Sequence, residues 1–264
     1  MFTIKRSSAL AQALLVLLAL LWLGGCGGPQ LSPWHTVQLT SEFSADSSTG
    51  VDSFEDYLQL EDTVFGQLDE LLYDNSDTGP QYALERYSRG SLADPEQRQG
   101  NWNRSFELDS EAAVGGVLLL HGMSDSPYSL RAIGEALQQR GFQVLGLRMP
   151  GHGTAPSGLV EVSWQDMSAV VRLGMTHLSQ RVGDKPIHII GYSTGAALAL
   201  DFALQAEQSR AEQSRAGHGQ ARAGQPGVDL ARHWSQPGGS PGQMGPAFIA
   251  ITRAGQARLA GHCT

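Results

Sequence analysis

The pentapeptide Gly191-Tyr192-Ser193-Thr194-Gly195 sets a serine hydroxyl between two glycines. Before it runs the apolar stretch Ile187-His188-Ile189-Ile190, and after it come the small residues Ala196, Ala197 and Ala199. A serine at the tip of a sharp turn from buried strand to helix projects its hydroxyl clear of the sheet. Gly191 and Gly195 permit the strained dihedrals and the close approach of helix to strand that such a turn needs. The N-terminus of the helix then places backbone N–H groups beside developing negative charge. Residue types in this order are suited to nucleophilic attack on a carbonyl, with Ser193 as the catalytic group.

Two further motifs precede it. Val117-Leu118-Leu119-Leu120 leads into His121-Gly122-Met123, and Leu147-Arg148-Met149 leads into Pro150-Gly151-His152-Gly153-Thr154. The elements that must position these loops are legible in the periodicity. Strands are expected at Ser105 to Leu108, Val114 to Leu120, Phe142 to Leu147 and Ile187 to Ile190, and helices at Leu130 to Arg140, Trp164 to Arg181 and Thr194 to Leu204. Strands alternating with helices of this length indicate a parallel sheet covered on both faces. Continuous apolar strands fit that burial.

With these three motifs in order, residues 114–205 resemble the α/β-hydrolase superfamily, in particular its monoglyceride-lipase, carboxylesterase and serine-aminopeptidase-like branch. The resemblance implies an α/β-hydrolase fold, a parallel-sheet core with helices on both faces. It implies a serine hydrolase acting on an ester or related acyl bond. The oxyanion hole would be the backbone N–H groups of Met123 and Thr194. His121 would orient its loop. His152 would be structural rather than the catalytic base, because the family's triad runs serine, acid, histidine along the chain. No cofactor is implied. The sequence holds no CxxC and no HExxH, so a metal site is not expected.

The remaining segments divide the chain further. Lys5 and Arg6 precede an uncharged apolar run from Ala9 to Leu23, which ends in Leu23-Gly24-Gly25-Cys26. This resembles a bacterial lipobox. It predicts a signal peptide over 1–25 and lipidation at Cys26, which anchors the protein to a membrane of the bacterial cell envelope, the outer membrane being favoured, without making it span. Residues 26–104 read as a tether followed by a helical extension. In the extension, Phe54, Tyr57, Leu58, Phe65, Leu68, Leu71 and Leu72 share a face from Ser53 to Tyr73, and Ser53 caps the start with Asp56 three residues on. The hydrolase core occupies 105–205.

The tail, 206–264, departs from the pattern. Ala206-Glu207-Gln208-Ser209-Arg210 is repeated at once as Ala211 to Arg215, and ten glycines follow. The tail carries a net +3 and the first 205 residues −11, within a total of −8. No strand pattern appears there except the short run Phe248 to Ile251, and none of Asp229, His218, His233 and His262 sits after a credible strand. The expectation is a fold incomplete at the C-terminus, with a low-complexity or out-of-frame tail. Shifting the frame by one base over residues 219–262 permits a β-run, Ser-Leu-Val-Ser-Ile-Ser, where the fold wants its next strand. The acid and histidine of a triad are then missing, an edge of the sheet is unpaired, and activity is impaired. The rival expectation is a non-catalytic surface lipoprotein that binds an acyl or peptide ligand. The acidic balance, with a pI near 5.4, argues against a nucleic-acid partner.

Overall fold

The computed structural model describes residues 31–46, 50–97, 100–216 and 249–254. The predicted signal peptide, Cys26 and most of the tail lie outside the described residues. The chain divides into two units, Met1–Thr36 and Val37–Thr264. In the first, the turn Pro33–His35 is closed by a bond from Thr36 N–H to the Pro33 carbonyl at 3.0 Å. Everything that follows concerns the second.

Its sheet has five strands in the order β1-β3-β2-β4-β5. They are β1 (Phe106–Leu108), β2 (Gly115–Leu120), β3 (Phe142–Leu147), β4 (Ile187–Tyr192) and β5 (Ile249–Ala254). The central three are parallel, with Leu120 opposite Leu147 on one side and Gly191 on the other. Both edge strands are antiparallel, β1 on β3 and β5 on β4. The sheet is thus mixed, a parallel core with antiparallel margins. The expected unpaired edge beyond β4 carries β5, which begins one residue after Phe248.

Among the described residues of the unit there are four α-helices: α1 (Phe54–Leu71), α2 (Arg131–Gln138), α3 (Trp164–Val182) and α4 (Thr194–Ala216). The two faces of the sheet separate by the period-two rule of strands. Leu118, Leu120, Leu145, Leu147, Ile187 and Ile189 pack with Phe54 and Tyr57 of α1, with Val170, Met175 and Leu178 of α3, and with Leu198 and Ala199 of α4. Val117, Leu119 and Val144 form the other cluster, with Leu130 and Leu137 on the α2 side. All six residues of β2 are buried. A strand apolar on both faces is what two covering layers require.

α1 begins where the sequence indicates. Ser53 Oγ accepts from Asp56 N–H at 3.1 Å, and Asp56 accepts in return from Ser53 N–H at 3.0 Å. The face differs in three places. Leu71 is exposed, Val64 joins the buried face, and Glu61 is buried at 2% exposure. Glu61 is tolerated because its carboxylate accepts from Ser105 N–H and Oγ, both at 2.9 Å. α4 runs twelve residues past Leu204. The duplicated segment extends it, since Ala, Glu, Gln and Arg are good helix formers.

Candidate active site around Ser193

Ser193 sits between the last residue of β4 and the first of α4, at φ 52°. A non-glycine residue in the left-handed region costs about 1–2 kcal/mol, and such strain clusters at functional turns. Its side chain is exposed. The flanking glycines are explained by contact. A Cβ on Gly191 would lie 2.2 Å from the Gly195 carbonyl oxygen, and one on Gly195 would lie 2.1 Å from the Leu120 carbonyl oxygen. Any side chain there would push α4 off the ends of β2 and β4.

The loop after β2 reaches the same point. A Cβ on Gly122 would fall 2.9 Å from Tyr192 Cδ1 and 3.4 Å from Ser193 Cβ. The next residue, Met123, is therefore held beside the elbow, its side chain largely in solvent. Thr194 opens α4, and the first N–H groups of a helix have no intrahelical acceptor. Ser193, Met123 and Thr194 thus come together at the C-terminal ends of β2 and β4, with Gly191 and Gly195 beneath them.

His121 ties two loops together. Its Nε2 accepts from Met149 N–H at 3.1 Å. Its Nδ1 therefore carries the proton and donates to the Gly122 carbonyl at 2.9 Å. Burial lowers its pKa to about 3, so the ring is neutral. Both nitrogens are occupied, which leaves no lone pair for a reacting proton. His152 is stacked edge-on to it, ring centroids 5.1 Å apart, and its Nδ1 faces the Pro150 carbonyl at 2.8 Å. Burial also pushes its pKa down.

The other described histidines of the second unit are His177 and His188. His177, on α3, contacts Glu55 and Glu107 at 3.0 Å each. His188 is five residues before Ser193, about 17 Å along an extended strand, with its ring against Phe142. Among the described residues no group of three or more His, Cys, Asp or Glu could hold a metal ion.

The sequence reading missed the support behind the third motif. Arg148 is wholly buried. Its Nε donates to the His152 carbonyl at 2.6 Å, and its terminal nitrogens donate to both oxygens of Glu42, at 3.3 and 2.5 Å. Tyr57 Oη donates to the Arg148 carbonyl at 2.9 Å. The N-terminal segment thereby braces the loop that holds His121. An arginine directly after an apolar strand was the available signal, but its partners, over a hundred residues away at Glu42, were not deducible.

A serine at positive φ, at the turn from a central parallel strand into a helix, with a second strand-end loop against it, is the arrangement of the nucleophile elbow of α/β hydrolases. Residues 116–212 match the family described as the α/β hydrolase fold. It is 36% identical over 88 residues to a thermostable monoacylglycerol lipase of Bacillus sp. (strain H-257), covering 33% of this chain and 34% of that protein. The match spans about a third of the relative's length. A solved structure from work on LipS and LipT, two metagenome-derived lipolytic enzymes, is similar at 27% identity and a TM-score of 0.36, over 41% of this chain and 42% of that one.

Proposed function

We propose that the chain derives from a serine hydrolase that cleaves a carboxylic ester or related acyl bond, with Ser193 as nucleophile. The strained elbow carries the reading: Ser193 is held at φ 52° by contacts that admit only glycine on either side. In the proposed reaction Ser193 Oγ attacks the substrate carbonyl. The N–H groups of Met123 and Thr194 stabilise the oxyanion, an interaction that strengthens as charge develops. The monoacylglycerol lipase supports an ester as the bond cleaved.

His121 has both ring nitrogens bonded to backbone, and no hydrogen bond joins His152 to Ser193, so neither is assigned as the base that takes the Ser193 proton. With no base assigned to Ser193 among the described residues, we propose that this chain turns over esters weakly. Loss of triad partners leaves roughly 10³–10⁴-fold catalysis over water. The test is hydrolysis of p-nitrophenyl acetate and butyrate, with fluorophosphonate labelling of Ser193. Slow turnover that Ser193→Ala removes supports the proposal. Turnover at the level of a complete esterase would refute the weak-activity part, and turnover unchanged in Ser193→Ala would refute the nucleophile.

We propose also that Cys26 carries a lipid that anchors the protein in a bacterial envelope. Labelled palmitate should enter the wild type and not Cys26→Ala. Equal labelling of both would end that reading. Among the described residues no helix is long and apolar enough to cross a membrane.

A further inference from the structure

A cavity of about 200 Å³ lies beside the loop that follows Met123. It is lined in part by Arg86, Asp125, His152 and Thr154. Three of these residues carry a buried polar atom with no hydrogen-bond partner: Arg86 Nε, His152 Nε2 and Thr154 Oγ1. His152 is 2% exposed and Thr154 3%. Unsatisfied buried groups are rare in folded proteins, and a cluster of three around one cavity calls for a common cause.

Their polarity is fixed by what surrounds them. Arg86 Nε–H can only donate, while another nitrogen of the same guanidinium already donates to the Gly153 carbonyl at 2.7 Å. His152 Nδ1 faces a carbonyl, which only accepts, so the proton is on Nδ1 and Nε2 presents a lone pair. Thr154 Oγ1 can do both. The site thus offers one donor, one acceptor and one group of either kind.

An anion fits this set poorly. Its lone pairs would meet the lone pair of His152 Nε2, and the Asp125 carboxylate shares the cavity. A hydroxyl fits, since it donates and accepts at once. The volume is several times the roughly 30 Å³ share of one water, which leaves room for a three-carbon skeleton.

We propose that this cavity binds a small neutral polyol, whose hydroxyls donate to His152 Nε2 and accept from Arg86 Nε–H, with Thr154 Oγ1 completing the set. The proposal stands whether or not Ser193 turns over.

The test uses glycerol as probe on the full 264-residue chain, by calorimetry and saturation-transfer NMR. 1-Propanol and inorganic phosphate are the comparators. Glycerol should bind saturably, 1-propanol should bind at least about tenfold more weakly, and phosphate should not compete. Thr154→Val and Arg86→Gln should each weaken glycerol by about tenfold, the effect of one lost hydrogen bond, with unchanged circular dichroism. Thr154→Ser keeps the hydroxyl and should keep the affinity. If Thr154→Val does not fold, Arg86→Gln, on a half-exposed side chain, decides. Non-saturable glycerol binding, meaning water alone fills the cavity, overturns the proposal. So do equal binding of 1-propanol, preference for phosphate, or wild-type affinity in the folded variants.

Discussion

Glu42→Gln should destabilise the fold out of proportion to its single lost charge. Arg148 has a side chain at 0% exposure, and the Glu42 side chain, at 14%, is its bidentate partner. Glu61 also faces the guanidinium, but burial holds the Glu61 carboxyl above its usual pKa, so it is a weaker counter-charge. Glutamine keeps an acceptor and removes the charge, leaving a buried cation with incomplete compensation. Removing one partner of a buried pair costs about 3–5 kcal/mol. Glu61 remains, so the lower end, about 3 kcal/mol, is expected. That is a large share of a total stability of roughly 5–15 kcal/mol. Urea unfolding followed by far-ultraviolet circular dichroism should show it. With a slope of about 2 kcal/mol/M, the midpoint should fall by about 1.5 M. The double variant Glu42→Leu with Arg148→Met should recover most of the loss, because apolar replacement of both partners is often neutral or stabilising. A loss under about 1 kcal/mol for Glu42→Gln, or a double variant less stable than the single, would refute the reasoning, which takes the cost from the uncompensated charge.

Ser193→Gly should raise stability by about 1 kcal/mol, because glycine adopts φ 52° without the Cβ penalty, while fluorophosphonate labelling disappears. A variant no more stable than wild type in urea unfolding would show that the elbow is unstrained. Asp166 predicts an acid-labile α3. Burial raises its pKa, but the Ser163 hydroxyl, the Ala45 N–H at 2.6 Å and the Ser163 N–H together hold it below the usual carboxylate value. Its contribution is therefore complete above an unfolded pKa of about 3.9 and is lost as pH falls through the lower folded value. Asp166→Asn should cost about 1 kcal/mol at neutral pH and flatten the loss of stability between wild type at pH 5 and at pH 2; an unchanged pH profile would count against the assignment.

How much of this was legible in the sequence depends on the range of the interaction. The elbow is local. Strand, turn and helix follow one another in the chain, and the two glycines that Gly-x-Ser-x-Gly demands are those whose Cβ atoms would strike backbone. The Ser53–Asp56 capping box is local too, and the structure forms it. Long-range choices were not readable. The buried Glu61 breaks the apolar face of α1 because Ser105, forty-four residues away, supplies its donors. Arg148 survives in the core because Glu42 reaches it from 106 residues earlier. The direction of β5 on β4 was likewise hidden: residues 249–254 carry a β pattern that fits either sense of pairing, and only the register of Ile251 opposite Ile190 decides it.

The same distinction explains why the elbow speaks more clearly of ancestry than of activity. A nucleophile is positioned by its immediate neighbours, and here those neighbours are in place. A general base is positioned by distant elements brought to the same strand ends. Of the histidines in the loops after β2 and β3, His121 spends both ring nitrogens on backbone, bridging Met149 and Gly122, while His152 turns Nδ1 to Pro150 and its Nε2 has no hydrogen-bond partner. His121 ties the loop that carries Met123 to the loop after β3. Replacing His121 would loosen the proposed oxyanion pocket and would not remove a base, so His121→Gln should lower stability while leaving the pH dependence of any residual ester hydrolysis unmoved.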